Sequence, residues 1–188
     1  MPAYTTVDLP DGVVIARVLI CEKDPYFYFA DANTLQELPA DFSNDLWVNR
    51  PYGHISAYQL DCDLVRVSEV MASDGWGPLL HDLAMEYATN KHAWFGPDLR
   101  ENSADSRAVW DYYLDHRPDV LKKKNKIAAF KNWAAAHFLY SKPDNRVTKD
   151  LLDAGLLVYR EPGVSAAKRS QRKTLSPAKR KLNKKDTT

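Results

Sequence analysis

Gly75, Gly77 and Pro78 stand where an apolar run stops and a helical pattern starts. The run ends at Val70, and Leu79, Leu80, Leu83, Ala84 and Tyr87 then recur at helical spacing. This order predicts strand, tight turn, helix. The backbone N–H groups that open a helix have no partner within it, and the helix dipole adds partial positive charge there. A phosphate or pyrophosphate suits such a turn. Glycines let the backbone approach a ligand closely, and Pro78 fits the first helical turn because its missing N–H would be unpaired there anyway. A tight connection that binds nothing explains the same residues. Of the named nucleotide motifs, the P-loop is excluded because no Lys-Ser/Thr follows the glycines, and a Rossmann turn because no third glycine stands at its spacing.

The elements that would position this turn follow in order. His92 to Phe95 is a short apolar run, closed by the turn residues Gly96, Pro97 and Asp98. Ser103 is a candidate N-cap with Asp105 in the first turn behind it. The next helix carries Ala104, Ala108, Val109, Tyr112 and Tyr113 and stops before Pro118. Upstream, Val13–Ile20 and Tyr26–Ala30 predict a hairpin. His54–Leu60 and Val65–Val70 predict a second one, joined through Asp61, Cys62 and Asp63. The polar stretch Asp31–Asn49 predicts a loop with a short helix. Ile127–Tyr140, alanine-rich and carrying Trp133, predicts a helix, and Val147–Gly155 a short helix closed by glycine.

The stretch Val70–Ala88 resembles the acyl-CoA-binding core of the GNAT N-acetyltransferases. Gly75–Glu86, with Ser103–Tyr113 and Arg117–Val120 downstream, resembles GNAT-like proteins encoded by tailed bacteriophages. The similarity covers roughly residues 50–120 and is weaker on either side. It implies a mixed, twisted sheet flanked by helices, in which the strand ending near Val70 splays from its neighbour. It also implies that the pantetheine of acetyl-CoA lies in the split. Backbone groups of Val70 and Met71 would pair with pantetheine. The N–H groups of Ser73, Asp74, Gly75, Trp76, Gly77 and Leu79, around Pro78, would face the pyrophosphate. The usual family turn has Gln or Arg three residues before its first glycine. Here Ala72 stands three before Gly75, and Asp74 three before Gly77.

The same resemblance implies acyl transfer to a primary amine, which needs a base for the amine and an acid for the leaving thiolate. Glu69, beside Val70, is the candidate base. Strict alternation sets its side chain opposite those of Ser68 and Val70, and a solvated strand glutamate is the competing reading. The candidate acids are Tyr112 and Tyr113. Aligning on Ser103 and Ser106 instead puts Trp110 at the tyrosine position and leaves no acid. Core packing is the alternative for the whole aromatic cluster.

Composition sets ordinary bounds. The 188 residues predict one domain, residues 1–163, and a tail, residues 164–188. No apolar run is long enough to cross a bilayer, and the start of the chain has no signal-peptide pattern. The expected place is the cytoplasm, the host's if the chain is phage-encoded, or the virion if it is packaged. Cys21 and Cys62 stand in no metal or redox spacing and predict free buried thiols, and the five histidines form no metal motif. The formal net charge of +1 conceals an asymmetry. The tail holds nine Lys or Arg and one acid, while residues 1–163 hold 17 basic and 24 acidic side chains. Lys168, Arg169, Arg172, Lys173, Lys179, Arg180, Lys181, Lys184 and Lys185 form two basic runs with little apolar content, which predicts disorder and sequence-independent contact with nucleic-acid phosphates. Solubility, or pairing with the acidic body, is the plainer role. The sequence thus carries two functions: an acyl-CoA-dependent N-acyltransferase with an unknown amine acceptor, or a non-catalytic GNAT-like virion or nucleic-acid-associated binding protein.

Overall fold

A computed structural model describes residues 9, 12–19, 25–31, 53–72, 75–100, 103–128 and 132–160. These form a mixed α/β fold. The strands are β1 (Val13–Leu19), β2 (Pro25–Asp31), β3 (Gly53–Asp61), β4 (Leu64–Ala72), β5 (Trp94–Gly96), β6 (Leu121–Lys124), β7 (Phe138–Ser141) and β8 (Leu157–Arg160). The helices are α1 (Gly77–Asn90), α2 (Ala104–His116) and α3 (Arg146–Asp153). One eight-stranded sheet runs in the order β6-β7-β5-β4-β3-β2-β1-β8. Its β4–β5 and β1–β8 pairs are parallel, and the rest are antiparallel.

Residues opposite one another across a ladder share a face of the sheet. The pairs Phe27↔Ile55, Ala57↔Val67, Val65↔Phe95 and Phe95↔Tyr140 therefore make one apolar stripe across five strands. All of these side chains are buried. Helices α1 and α2 cover the stripe. Trp110 of α2 packs against Phe95 and Tyr140 at ring-centroid distances of 5.7 and 5.0 Å, and Tyr87 of α1 meets Phe27 edge-on at 6.3 Å.

Helix α1 is buried almost all round, from Pro78 to Ala88, which marks a core helix rather than a surface one. Its polar residues are buried with it and are met by partners from neighbouring elements. Asp82 accepts both terminal nitrogens of Arg117 and the Tyr113 hydroxyl. Glu86 accepts from Lys142 Nζ and from the backbone N–H groups of Val147 and Thr148. A carboxylate of α1 thus caps the start of α3, where the dipole favours it. Burial alone would lower the pKa values of Arg117 and Lys142. Asp119 and Asp82 outweigh it for Arg117, as do Asp144 and Glu86 for Lys142, so both are raised and stay charged.

Both predicted hairpins form, and Ser103 caps α2 by accepting from Ser106 N–H. Gly155, at φ 69°, ends α3. The single helix expected over Ile127–Tyr140 does not form. Lys126–Ala128 and Ala134–His137 are 3-10 turns, and Phe138–Ser141 is strand β7. Pairing overrides helix propensity there: β7 lies between β5 and β6, and the Tyr140 hydroxyl ties back to the Ala135 carbonyl at 2.9 Å. Cys62, expected buried, is exposed in the β3–β4 turn, since a two-residue hairpin tip lies outside the sheet. Cys21, the loop Asp31–Asn49 beyond its first residue, and the basic tail lie outside the described residues.

Candidate functional site: the split between β4 and β5

The β4–β5 ladder runs only from Leu64↔Trp94 to Arg66↔Gly96. On the other side, the β3–β4 ladder continues to Gly53↔Ala72. Six residues of β4, 67–72, therefore run on past the end of β5, where Pro97 follows. Gly53 makes that overhang possible. Its φ is 122°, and a Cβ there would sit 2.2 Å from the Met71 carbonyl oxygen, so only glycine lets β3 start this close to β4.

A β-bulge lies in the overhang. Ala57 opposes Val67, yet Ser56 opposes Glu69, leaving Ser68 as the extra residue. Bulges re-aim the side chains that follow them. Without this one, Glu69 would share the core face with Val67. With it, Glu69 joins the face of Ser56, Tyr58 and Arg66 and is 40 % exposed. Its Oε2 stands 3.5 Å from Nε2 of buried His54 on β3. Val70 packs partly against the core, and Met71 is 60 % exposed.

The overhang leads into the turn. Ser73 and Asp74 lie outside the described residues. Gly75 has φ 89°, which favours glycine, whereas Gly77 has no positive φ and a Cβ there would meet only Val109 Cγ2 at 3.8 Å, so the fold itself requires glycine only at the first position. Trp76 is the N-cap of α1 and makes no side-chain capping hydrogen bond; Pro78 occupies the first turn, and Leu79 is buried just inside it. The first turn is held from inside by its carbonyls. His81 Nδ1 lies 2.8 Å from the Gly77 oxygen, and the Tyr113 hydroxyl lies 2.9 Å from the Pro78 oxygen and 2.6 Å from Asp82 Oδ1. With these carbonyls fixed, the N–H groups of the turn keep a fixed direction, as an anion site requires.

The candidate catalytic residues separate. Glu69 stands at the split. Tyr113 is fully buried and its hydroxyl is engaged beneath the turn. Tyr112 keeps part of its surface exposed and packs on His116 with ring centroids 5.8 Å apart. Trp110 is wholly in the core. The residues that sequence reasoning passed over are His54, Arg66, His81 and Asp82. Each is buried and polar. His81, Asp82 and Glu86, set among the apolar residues of one helix, were the available signal. Among the described residues no three His, Cys, Asp or Glu side chains gather as a metal site needs, and no helix is long and apolar enough to cross a membrane. The nine basic residues from Lys168 to Lys185 lie outside the described residues. No protein-family model, no curated protein and no solved structure matches the chain.

Proposed function

We propose that the chain is an acyl-CoA-dependent N-acyltransferase with a GNAT-like fold, phage-encoded, acting on a primary amine. One observation carries this reading: β4 outruns its parallel neighbour β5 and delivers the chain to a glycine turn and an α1 N-terminus whose N-cap residue, Trp76, makes no side-chain capping bond. A strand edge that has no ladder partner past Arg66 among the described residues suits an extended amide-bearing arm, and the turn suits a pyrophosphate. The residues fit acetyl-CoA in these terms. Val70 and Met71 would pair with pantetheine, and the Gly75–Leu79 stretch would take the phosphates.

The cofactor would supply the activated acyl thioester. Glu69, exposed at the split and backed by His54, would take a proton from the incoming ammonium, directly or through water. Tyr112 would hold a proton at its hydroxyl for the departing sulfur. The basic tail would hold nucleic acid or another polyanion near the domain. The engaged Tyr113 and the Asp74 beside the turn favour a second reading, a GNAT-like binding protein without catalysis.

Calorimetric titration of the full-length protein with acetyl-CoA tests the proposal. Saturable binding at micromolar cofactor is the expected result. No binding at millimolar cofactor sinks the enzyme reading and leaves the binding protein.

A further inference from the structure

Arg66 is a buried cation with an unmet hydrogen-bond donor. It is 2 % exposed. Its Nη1 donates to the Pro97 carbonyl at 2.8 Å, and its Nη2 has no acceptor. Tyr58, opposite it on β3, and then Asp98 favour its charge through space, and the Asp98 carboxylate is also met by Arg100 at both oxygens, at 3.0–3.2 Å. Burial still dominates and draws the Arg66 pKa below its ordinary value. A buried charge with an unpaired donor is among the costlier arrangements in a protein, and apolar side chains of similar size usually do better in its place. The bond to Pro97 accounts for one terminal nitrogen and leaves the other open, and an anion would satisfy it.

Its position narrows the choice of anion. Arg66↔Gly96 is the last rung before β4 and β5 part, so Arg66 marks the closed end of the split. The turn that would take the cofactor phosphates follows Ala72, six residues along β4 and so roughly 20 Å away. Arg66 cannot serve those phosphates. It shares its face of the sheet with Glu69, the candidate base, which sits on the other side of the bulge. A molecule with an amine at Glu69 and a negative group at Arg66 would span the two. A guanidinium matches a carboxylate in shape and number of donors, and it repels a second amine.

We propose that Arg66 Nη2 holds the carboxylate of the amine acceptor, so that the acceptor is an amino acid or a similar amino-carboxylate rather than a polyamine or a nucleobase. This rests on the acyltransferase reading, and the experiment separates the two. Full-length wild-type protein and Arg66→Met are assayed for thiol release from acetyl-CoA with amino acids, ω-amino acids, their carboxamides, and spermidine. The expected result is a preference of 10²-fold or more in kcat/KM for acids over amides in the wild type. Arg66→Met should lose that preference while its acetyl-CoA affinity stays within twofold. Equal use of acids and amides, turnover of spermidine alone, turnover of nothing despite cofactor binding, or a preference that survives in Arg66→Met overturns the proposal.

Thermal melts of both proteins in the same acids and amides decide the case in which acetyl-CoA does not bind. Stabilisation by acids alone, lost in Arg66→Met, keeps the anion site while the acyltransferase reading falls. No such difference removes both. The melts without ligand give a further check. Arg66→Met deletes an incompletely paired buried charge but also strips the Pro97 carbonyl of its donor, and these opposing effects should leave the melting temperature within about 4 °C of the wild type. A drop of more than about 4 °C would make Arg66 a structural prop for Pro97 and overturn the proposal.

Discussion

Glu86 of α1 and Lys142, the residue after β7, meet at 2.8 Å with 0 % and 2 % of their side chains exposed. Glu86 also caps α3, so one carboxylate ties together the central helix, the end of the sheet and the last helix. Removing one partner of a buried pair leaves the other charge stranded. Lys142→Met should cost about 3–5 kcal/mol in urea unfolding. A loss under about 1 kcal/mol would mean that the two α3 N–H groups satisfy Glu86 by themselves.

Gly77→Glu should abolish acetyl-CoA binding and spare the fold. A Cβ at Gly77 meets only Val109 Cγ2, at an ordinary 3.8 Å, and the backbone there needs no glycine. A carboxylate in the first turn of α1 even complements the helix dipole. Melting temperature should hold or rise while the calorimetric signal vanishes. Retained binding would make the turn purely structural.

The two tyrosines should fail in different ways. Tyr113→Phe removes a hydroxyl bonded to a buried carboxylate and should cost about 1–3 kcal/mol of stability. It also releases the Pro78 carbonyl under the turn, so acetyl-CoA affinity should weaken. Tyr112→Phe should leave stability within about 0.5 kcal/mol and lower turnover roughly 10²-fold with affinity kept. Full turnover in Tyr112→Phe would reject it as the acid.

Acid should weaken the protein through His81. Burial pushes its pKa down to about 4, and the hydrogen bond with the Gly77 carbonyl opposes that only in part. In the unfolded chain the ring titrates near 6.5. The folded value is the lower one, so the unfolded state binds the extra proton between these values. The stability held by the neutral ring is whole above pH 6.5, falls as pH drops, and is lost once pH passes 4. The difference corresponds to about 3 kcal/mol. His81→Asn, which keeps a short donor for Gly77, should flatten the melting-temperature profile between pH 6.5 and 4. Parallel profiles for the two proteins would show that other groups drive the acid loss.

Deleting residues 164–188 should leave the melting temperature unchanged, since Val164, Leu175 and Leu182 are the only large aliphatics removed. It should also remove most affinity for DNA. If half of the nine cations engage phosphates, full-length protein should bind duplex DNA with a log–log salt slope of roughly −4 and little sequence preference. Salt titrations of both proteins on two unrelated duplexes measure this. Equal affinity without the tail would assign its charge to solubility or to the acidic body.

Local pattern made much of this fold legible, and long-range pairing hid the rest. Val13–Ile20 is a nearly continuous apolar run behind a turn and His54–Leu60 alternates, so their hairpins could be read directly. Leu121–Lys124 is three lysines behind a leucine, a composition that suits an exposed edge but carries no strand signal of its own. Ala134–Ala136 carries helix propensity, and only the neighbours β5 and β6 make Phe138–Ser141 a strand. At the site, the turn was readable because glycine and proline are tied to backbone shape. The side on which Glu69 emerges was not, because the bulge at Ser68 breaks the alternation without a residue type to announce it. Arg66 looked like any strand arginine until its burial and its open donor were seen.

Strand β8 gives β1 its second neighbour. Ile15 pairs with Leu157 some 140 residues later, and Arg17 lies 3.7 Å over the Tyr159 ring. A ribosome adding about 5–20 residues per second needs roughly 7–30 s to cover that distance. Throughout that interval β1 offers an open edge of main-chain donors and acceptors, the template on which strands of separate chains join. Closing that edge therefore waits for residues 157–160, on a nascent chain that already holds every other described strand of its sheet.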